Sequence, residues 1–238
     1  MHFVILTLFP EMFPGSIGYS LAGKALSNGI WKYSIVDIKD FGNGIHRKVD
    51  DYPYGGGTGM VMRPDVLSSA IDYAMEKYKT EKIFYPSPRG KLFNQKKAIE
   101  ISEFQSIMLI CGRFEGIDER ILQLYNIEEI SVGDYVLSGG EVAALVIMDS
   151  CIRIIKGVLR NEETINNESF CESFCDFSSG ANSGGVMLEY PLYTRPFEFR
   201  GLEVPEVLTS GNHASIEKWK KSESLRITIE NRPELLKN

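Results

Sequence analysis

The sequence predicts an α/β fold, a parallel sheet covered on both faces by helices, followed by a small and mostly helical domain. Two observations carry that prediction. Up to residue 157, short β-branched runs alternate with stretches of helical periodicity, the pattern of strands joined by helical crossovers. Beyond it a polar stretch breaks the alternation, and helical patterning alone resumes over 214–229.

The first apolar run, Phe3 to Phe9, has no basic residue before it and ends at Pro10-Glu11. It is too short for a membrane span and wrongly flanked for a signal peptide, so it reads as a strand over 3–8. Helical spacing follows at 16–27. Further strands are expected at 31–38, 82–85, 107–110 and 127–132, and further helices at 64–79, 94–104, 117–125 and 141–155. Pro64-Asp65 marks a helix start, because proline fits the first helical position and an acid suits the positive end of the dipole. Residues 160–185 are acidic, rich in Asn and Ser and poor in aliphatic side chains, as an exposed linker is. The expected organisation is a domain at 1–159, a flexible linker at 160–185 and a helical domain at 186–238.

The 238 residues carry a formal charge of −6 and are 43% hydrophobic, which allows a sizeable core and argues against a uniformly basic, nucleic-acid-gripping surface. The acidity is local, with six acids against one base over 160–189, nineteen against seventeen over 1–159, and seven against eight over 190–238. Basic groups such as Arg89, Lys91, Lys96 and Lys97, or Lys218, Lys220 and Lys221, therefore read either as RNA contacts or as solvated helix faces. Cys111, Cys151, Cys171 and Cys175 form no paired CxxC motifs, and His2, His46 and His213 lie far from them in sequence. That pattern disfavours zinc and fits reduced thiols in the cytoplasm.

In an open parallel sheet, ligands bind beyond the carboxyl ends of the strands. Three loops after expected strands are rich in glycine and proline: YPSPRGK at 85–91, CGRFEGIDER at 111–120 and SVGDYVLSGGE at 131–141. Glycine permits close backbone approach and proline fixes a wall without ordering cost, so the three together suit a preorganised main-chain pocket, although each alone is only a tight turn. The sequence has neither GxGxxG after the first strand nor GxxxxGK[ST], the loops that hold dinucleotides and nucleoside triphosphates. YGGGTGM at 54–60 opens no helix and reads as a lid or substrate loop. A pocket without phosphate machinery suits S-adenosyl-L-methionine. Its adenine needs an apolar slot and backbone hydrogen bonds, and its sulfonium can sit against carbonyls or a carboxylate such as Glu115.

These stretches, with LFPEMF at 8–13, VDDYPYGGGTGM at 49–60, YPLYTRP at 190–196, VPEVLTSGNHA at 204–214 and RPELL at 232–236, run in order over nearly the whole chain. Together they resemble the bacterial tRNA (guanine-N1)-methyltransferase family, TrmD, of the SPOUT superfamily. The resemblance implies a SPOUT-type sheet with a deep trefoil knot, a feature that general topology makes rare. In such a knot Tyr85, Pro86, Ser87, Pro88, Gly112, Glu115, Ser131, Val132, Gly133, Tyr135, Leu137, Gly139 and Gly140 would enclose a bent S-adenosyl-L-methionine. It also implies a homodimer with the active site at the subunit interface, an association of activity with Mg²⁺, and methylation of guanine 37 in tRNAs having guanine at 36. No ligand cluster for the metal is apparent in the sequence, and no membrane contact is expected.

Methylating N1 of guanine needs a base for its proton and a cation for the charge that develops on the neighbouring carbonyl oxygen. By resemblance the base belongs to an Asp-Ser-Phe triplet, here Glu168-Ser169-Phe170, and the cation is Arg153 on the preceding helix. Asp176 is a rival base. Contacts to the tRNA anticodon arm are expected from His46, Arg47, Lys48, Arg195, Ser210, Asn212 and His213, with His213 reading equally as a helix-capping residue and Tyr193 as packing. The chain departs from the family pattern at Glu168, at Phe114 where the family has Tyr, and at GGEVAA, which lacks a usual proline. Two other readings, a different SPOUT RNA methyltransferase and a non-catalytic RNA-binding module, keep the same fold.

Overall fold

A computed structural model describes residues 1–159, 161, 168–170 and 185–236. Asp176, Cys171 and Cys175, and most of the expected linker, lie outside the described residues. The contacts divide the chain into two compact units, Met1–Arg160 and Asn161–Asn238.

The first unit runs β1 (His2–Thr7), α1 (Ser20–Ser27), β2 (Lys32–Asp37), β3 (Asp50–Asp51), β4 (Val61–Met62), α2 (Pro64–Tyr78), β5 (Lys82–Leu92), α3 (Gln95–Ser102), β6 (Ser106–Ile110), α4 (Glu119–Leu124), β7 (Glu128–Ser131) and α5 (Gly140–Ile152). Five strands form the expected parallel sheet in the order β2-β1-β6-β5-β7. β1 and β6 are buried along their whole length, as strands covered on both faces must be. Alternate residues feed two cores. Phe3, Ile5, Trp31, Phe84, Ile107 and Leu109 pack with α1, α3 and α5 on one face, while Val4, Leu6, Ile83, Met108 and Ile110 pack with α2 and α4 on the other. Trp31 completes its burial by donating Nε1–H to the Ala22 carbonyl at 2.8 Å. The helix starts follow local chemistry: α2 begins at Pro64, and the side chains of Asn94 and Asp118 cap α3 and α4 by accepting from Lys97 N and Arg120 N.

Two elements differ from the sequence expectation. The helix expected over 16–27 is split into a 3₁₀ turn at Gly15–Gly18 and α1, with Tyr19 extended between them and Ser20, the first residue of α1, left-handed. Gly15 and Gly18 give the first turn little helix propensity. β5 runs well past residue 85, and its register on β7 slips so that both Pro86 and Lys91 face Ile130. Pro86 and Pro88 have no N–H for the ladder, so the chain bows out between them and the end of the strand. Gly90 allows the return, because a Cβ there would lie 2.3 Å from Ile130 N.

The second unit contains a short hairpin, β8 (Glu198–Phe199) and β9 (Leu202–Glu203), which the sequence reading did not anticipate, then α6 (Glu206–Thr209) and α7 (His213–Asn231). Residues 186–188 strap onto it: Leu188 N donates to Thr228 Oγ1 at 2.9 Å, and Val186 N to the Leu235 carbonyl at 3.0 Å. Among the described residues, no helix is long and apolar enough to cross a membrane.

Phe84 is fully buried in the sheet interior beside Phe104. Phe84→Ala is expected to destabilise the first unit by about 3–5 kcal/mol, read as a lowered midpoint in urea unfolding.

Candidate active site

The carboxyl ends of β5, β6 and β7 surround a cavity of about 220 Å³. Its walls are the β5 bulge at 85–88, the loop at 112–116 and the loop at 130–140 that leads into α5. Every residue expected to hold a cofactor, from Tyr85 through Gly140, is in that lining, and Arg113, Phe114 and Ser138 join them.

The doubled glycine before α5 is where three segments meet. Gly140 N donates to the Gly112 carbonyl at 2.9 Å, and a Cβ on Gly140 would lie 2.9 Å from both Cys111 Cα and Gly112 N. A Cβ on Gly139 would lie 2.4 Å from Arg113 Nε, and one on Gly112 would lie 2.7 Å from the Tyr85 ring. Side chains are thus excluded by backbone at Gly140 and by the Arg113 and Tyr85 side chains at Gly139 and Gly112.

Beneath this junction lies an ion pair that the sequence reading did not single out. Glu141, in the first turn of α5, is fully buried and accepts from Thr7 Oγ1 at the end of β1 at 2.8 Å. Its Oε2 lies 2.9 Å from Arg113 Nε, a charge contact bent away from a straight hydrogen bond. Arg113 also donates to the Ser138 carbonyl at 3.2 Å and stacks 4.2 Å from the centre of the Phe9 ring. The positive end of α5 favours the carboxylate. The only advance signal was an acid directly after two glycines.

Burial, aided by the Glu141 charge, pushes the Cys111 thiol well above its ordinary pKa, so it stays a neutral, inert thiol. Burial chiefly, and then the Glu129 charge, raises the Tyr85 phenol, which remains protonated at neutral pH.

The other expected site residues are distributed over both units. Arg153 ends α5, half-buried, with its N–H donating to the Asp149 carbonyl at 3.2 Å. Glu168 is half-buried in the second unit, where Ser169 Oγ accepts from Glu189 N at 2.9 Å and Phe170 N donates to the Met187 carbonyl at 2.9 Å. His46, Arg47 and Lys48 are exposed, Arg47 pairing with Asp40 at 3.0 Å and Lys48 with Asp51 at 2.9 Å. Arg195, Ser210, Asn212 and His213 are exposed in the second unit. The capping residue of α7 is Asn212, which accepts from Ser215 N at 3.2 Å; His213 follows it, exposed, and is not a buried cap. The Tyr193 ring packs 6.2 Å from Trp219. Among the described residues no group of three or more His, Cys, Asp or Glu could hold a metal ion. A second, more open groove of about 550 Å³ runs beside α5, lined by Ile17, Tyr19, Leu21, Val142, Val146 and Arg153 among others.

A parallel sheet with a main-chain cradle at its carboxyl edge, and no phosphate loop, defines an α/β domain that recognises a small organic ligand by backbone and shape. The family model described as tRNA (Guanine-1)-methyltransferase TrmD matches residues 1–238. Proteins named tRNA (guanine-N(1)-)-methyltransferase are similar throughout. That of Rickettsia rickettsii (strain Sheila Smith) is 51% identical over all of this chain and 98% of its own length. That of Rickettsia typhi is 52% identical over the same shares, and that of Ehrlichia ruminantium (strain Gardel) 51% over 97% of this chain and 93% of its own. The chain belongs to the TrmD family of tRNA (guanine-N1)-methyltransferases. Methyl transfer to tRNA is accordingly its chemistry.

Glu141→Gln, which leaves the half-buried Arg113 without its partner charge, is expected to cost up to about 3 kcal/mol, the low end for a broken buried pair because Arg113 keeps some water. The double change Arg113→Met with Glu141→Leu should recover much of that loss, measured as coupling between the two sites in a double-mutant cycle of urea midpoints.

Proposed function

We propose that this protein transfers a methyl group from S-adenosyl-L-methionine to N1 of guanine 37 in tRNAs having guanine at 36, acting in the cytoplasm as a homodimer. In this reading the three cofactor loops are threaded as a deep trefoil knot. The observation that carries the proposal is the convergence of all the expected cofactor residues on one preorganised cavity.

The lining fits the cofactor. Ile130, Val132, Leu137 and Ala143 supply apolar wall, and the glycines at 112, 133, 139 and 140 leave backbone groups for the adenine edge and the ribose. Among the described residues Arg113 is the one cation of that lining and is paired with Glu141, so Glu115 is the lining's uncompensated charge there. That balance suits a cationic ligand and is wrong for a phosphate. When bound, S-adenosyl-L-methionine supplies an electrophilic methyl group whose departure neutralises a sulfonium.

The protein's own residues deal with the target. N1 of guanine carries a proton at neutral pH, so its lone pair is not free until a base removes that proton. Glu168 takes it, and Arg153 donates to the neighbouring carbonyl oxygen as that oxygen gains negative charge. Glu168 has one more methylene than the family's aspartate; its neighbours Ser169 and Phe170 are hydrogen-bonded to residues 187 and 189, beside the strap onto α7. His46, Arg47, Lys48, Arg195, Ser210, Asn212 and His213 hold the anticodon arm through phosphates and splayed bases. Mg²⁺, which the resemblance associates with activity, has no assigned protein ligands in this scheme.

A second copy of the chain covers the groove beside α5. Support comes from Tyr19, Leu21, Val142 and Val146, large apolar side chains left exposed along it.

Glu168→Gln should lower methylation of a guanine 36, guanine 37 transcript by at least about a hundredfold, while affinity for S-adenosyl-L-methionine by calorimetry stays within about twofold; unchanged turnover would refute Glu168 as the base. Mass mapping of the product should place the methyl on guanine 37, and transcripts lacking guanine 36 should not react. Val146→Glu should convert the dimer to monomer in sedimentation and abolish methylation. A variant that stays dimeric would mean that the groove is not the interface.

A further inference from the structure

Glu115 lines the cofactor cavity, yet among the described residues its carboxylate makes neither a hydrogen bond nor an ion pair. Its stem is long and the residue is exposed, so its direction must be set by what it rests against. That support is Gly59. A Cβ built on Gly59 would fall 2.6 Å from Glu115 Oε1, 2.7 Å from its Cγ and 3.0 Å from its Cδ, so the side chain lies directly on the bare α-carbon. The contact is held from both sides. Glu115 N donates to the Met60 carbonyl and Met62 N to the Gly116 carbonyl, each at 2.9 Å, a short parallel bridge that fastens the end of the glycine-rich loop to the cofactor loop. Gly59 also has a φ of +97°, which side chains rarely adopt.

We infer that Gly59 is a positioning residue for the Glu115 carboxylate, and that through this contact the glycine-rich loop sets the cavity's preference for cationic over neutral cofactor forms. The inference rests on the cofactor reading above. A methyl group on Gly59 cannot share space with Glu115 and also strains a backbone held at a φ of +97°, so whether the side chain or the loop gives way, the contact that directs the negative charge is lost. The adenosine and carboxylate portions of a ligand would be held as before; only the attraction for positive charge at the sulfur position would fall. Phe114 and Gly116 flank Glu115 but neither offers a charge to compensate.

The test is calorimetric binding of three ligands to the full chain. S-adenosyl-L-methionine and sinefungin are positively charged at the reacting position, and S-adenosyl-L-homocysteine is neutral there. In Gly59→Ala, affinity for the two cationic ligands relative to the neutral one should fall by about fivefold, the size expected from drawing a charge away by an ångström or two in a partly screened site, with S-adenosyl-L-homocysteine itself changed less than about twofold. In a Glu115→Gln background, Gly59→Ala should leave the ratio unmoved. Glu115→Asp, which keeps the charge but shortens the stem that Gly59 supports, should give the same fall and serves where Gly59→Ala is insoluble. Equal weakening of all three ligands, an unchanged ratio, or an effect of Gly59→Ala that persists without the Glu115 charge would overturn the inference while leaving the cofactor reading intact. If the unmodified protein binds none of the three, the cofactor reading falls and this inference with it.

Discussion

The contact between Arg113 and the buried Glu141 is the constraint on which the rest of the site depends. It joins the loop after β6 to the first turn of α5, and Thr7 extends the connection to the end of β1. Such a pair is weak evidence for stability, because both ions lose their water; its value is that few other arrangements satisfy the charges once they are buried. Here the arrangement brings the backbone of Gly140 against that of 111–112, with Gly139 on the Arg113 side chain. The glycines are required by that approach, and the ion pair holds it. A cavity built this way has its hydrogen-bonding groups in place before a ligand arrives, so binding does not have to order flexible side chains.

How much of this was legible in the sequence varies by element, for physical reasons. The parallel sheet was readable because strands covered on both faces are continuous apolar runs, and β1 and β6 are such runs. The three pocket loops were readable because glycine and proline mark places where backbone geometry is special, and Gly112, Gly139 and Gly140 do lie at close contacts, Gly140 with backbone and the other two with the Tyr85 and Arg113 side chains. The bulge within β5 was not legible. YPSPRGK breaks the ladder in the way a loop would, and only pairing with β7 shows that the strand resumes at Lys91 and Leu92. The ion pair was hidden for a different reason: Arg113 and Glu141 are twenty-eight positions apart in sequence, and buried charges meet by tertiary packing, which periodicity does not record. The split before α1 and the β8–β9 hairpin involve a few residues each, too short for any pattern to distinguish them from their surroundings.

The chemistry asks for two things that pull in different directions. The cofactor needs a rigid, partly apolar cradle. The nucleotide, in the proposed reaction, needs a base for its proton and a cation for the charge that develops on its oxygen. The chain places the cradle in the first unit with Arg153 at the end of α5, and places Glu168 in the second, on a triplet hydrogen-bonded to the strap over α7. Under the proposed assignment the carboxylate belongs to the unit that also carries Arg195, Asn212 and His213, and the cofactor cavity belongs to the other.

The claim that the Arg113–Glu141 pair holds the cavity in its shape is tested most directly by amide hydrogen exchange. In Glu141→Gln, the account predicts that exchange quickens at the Gly140 amide and through 111–116 and 131–141, by at least about tenfold, while the amides of β1 and β6 keep their protection. Unchanged protection at Gly140, or a loss spread evenly over the whole sheet, would contradict it.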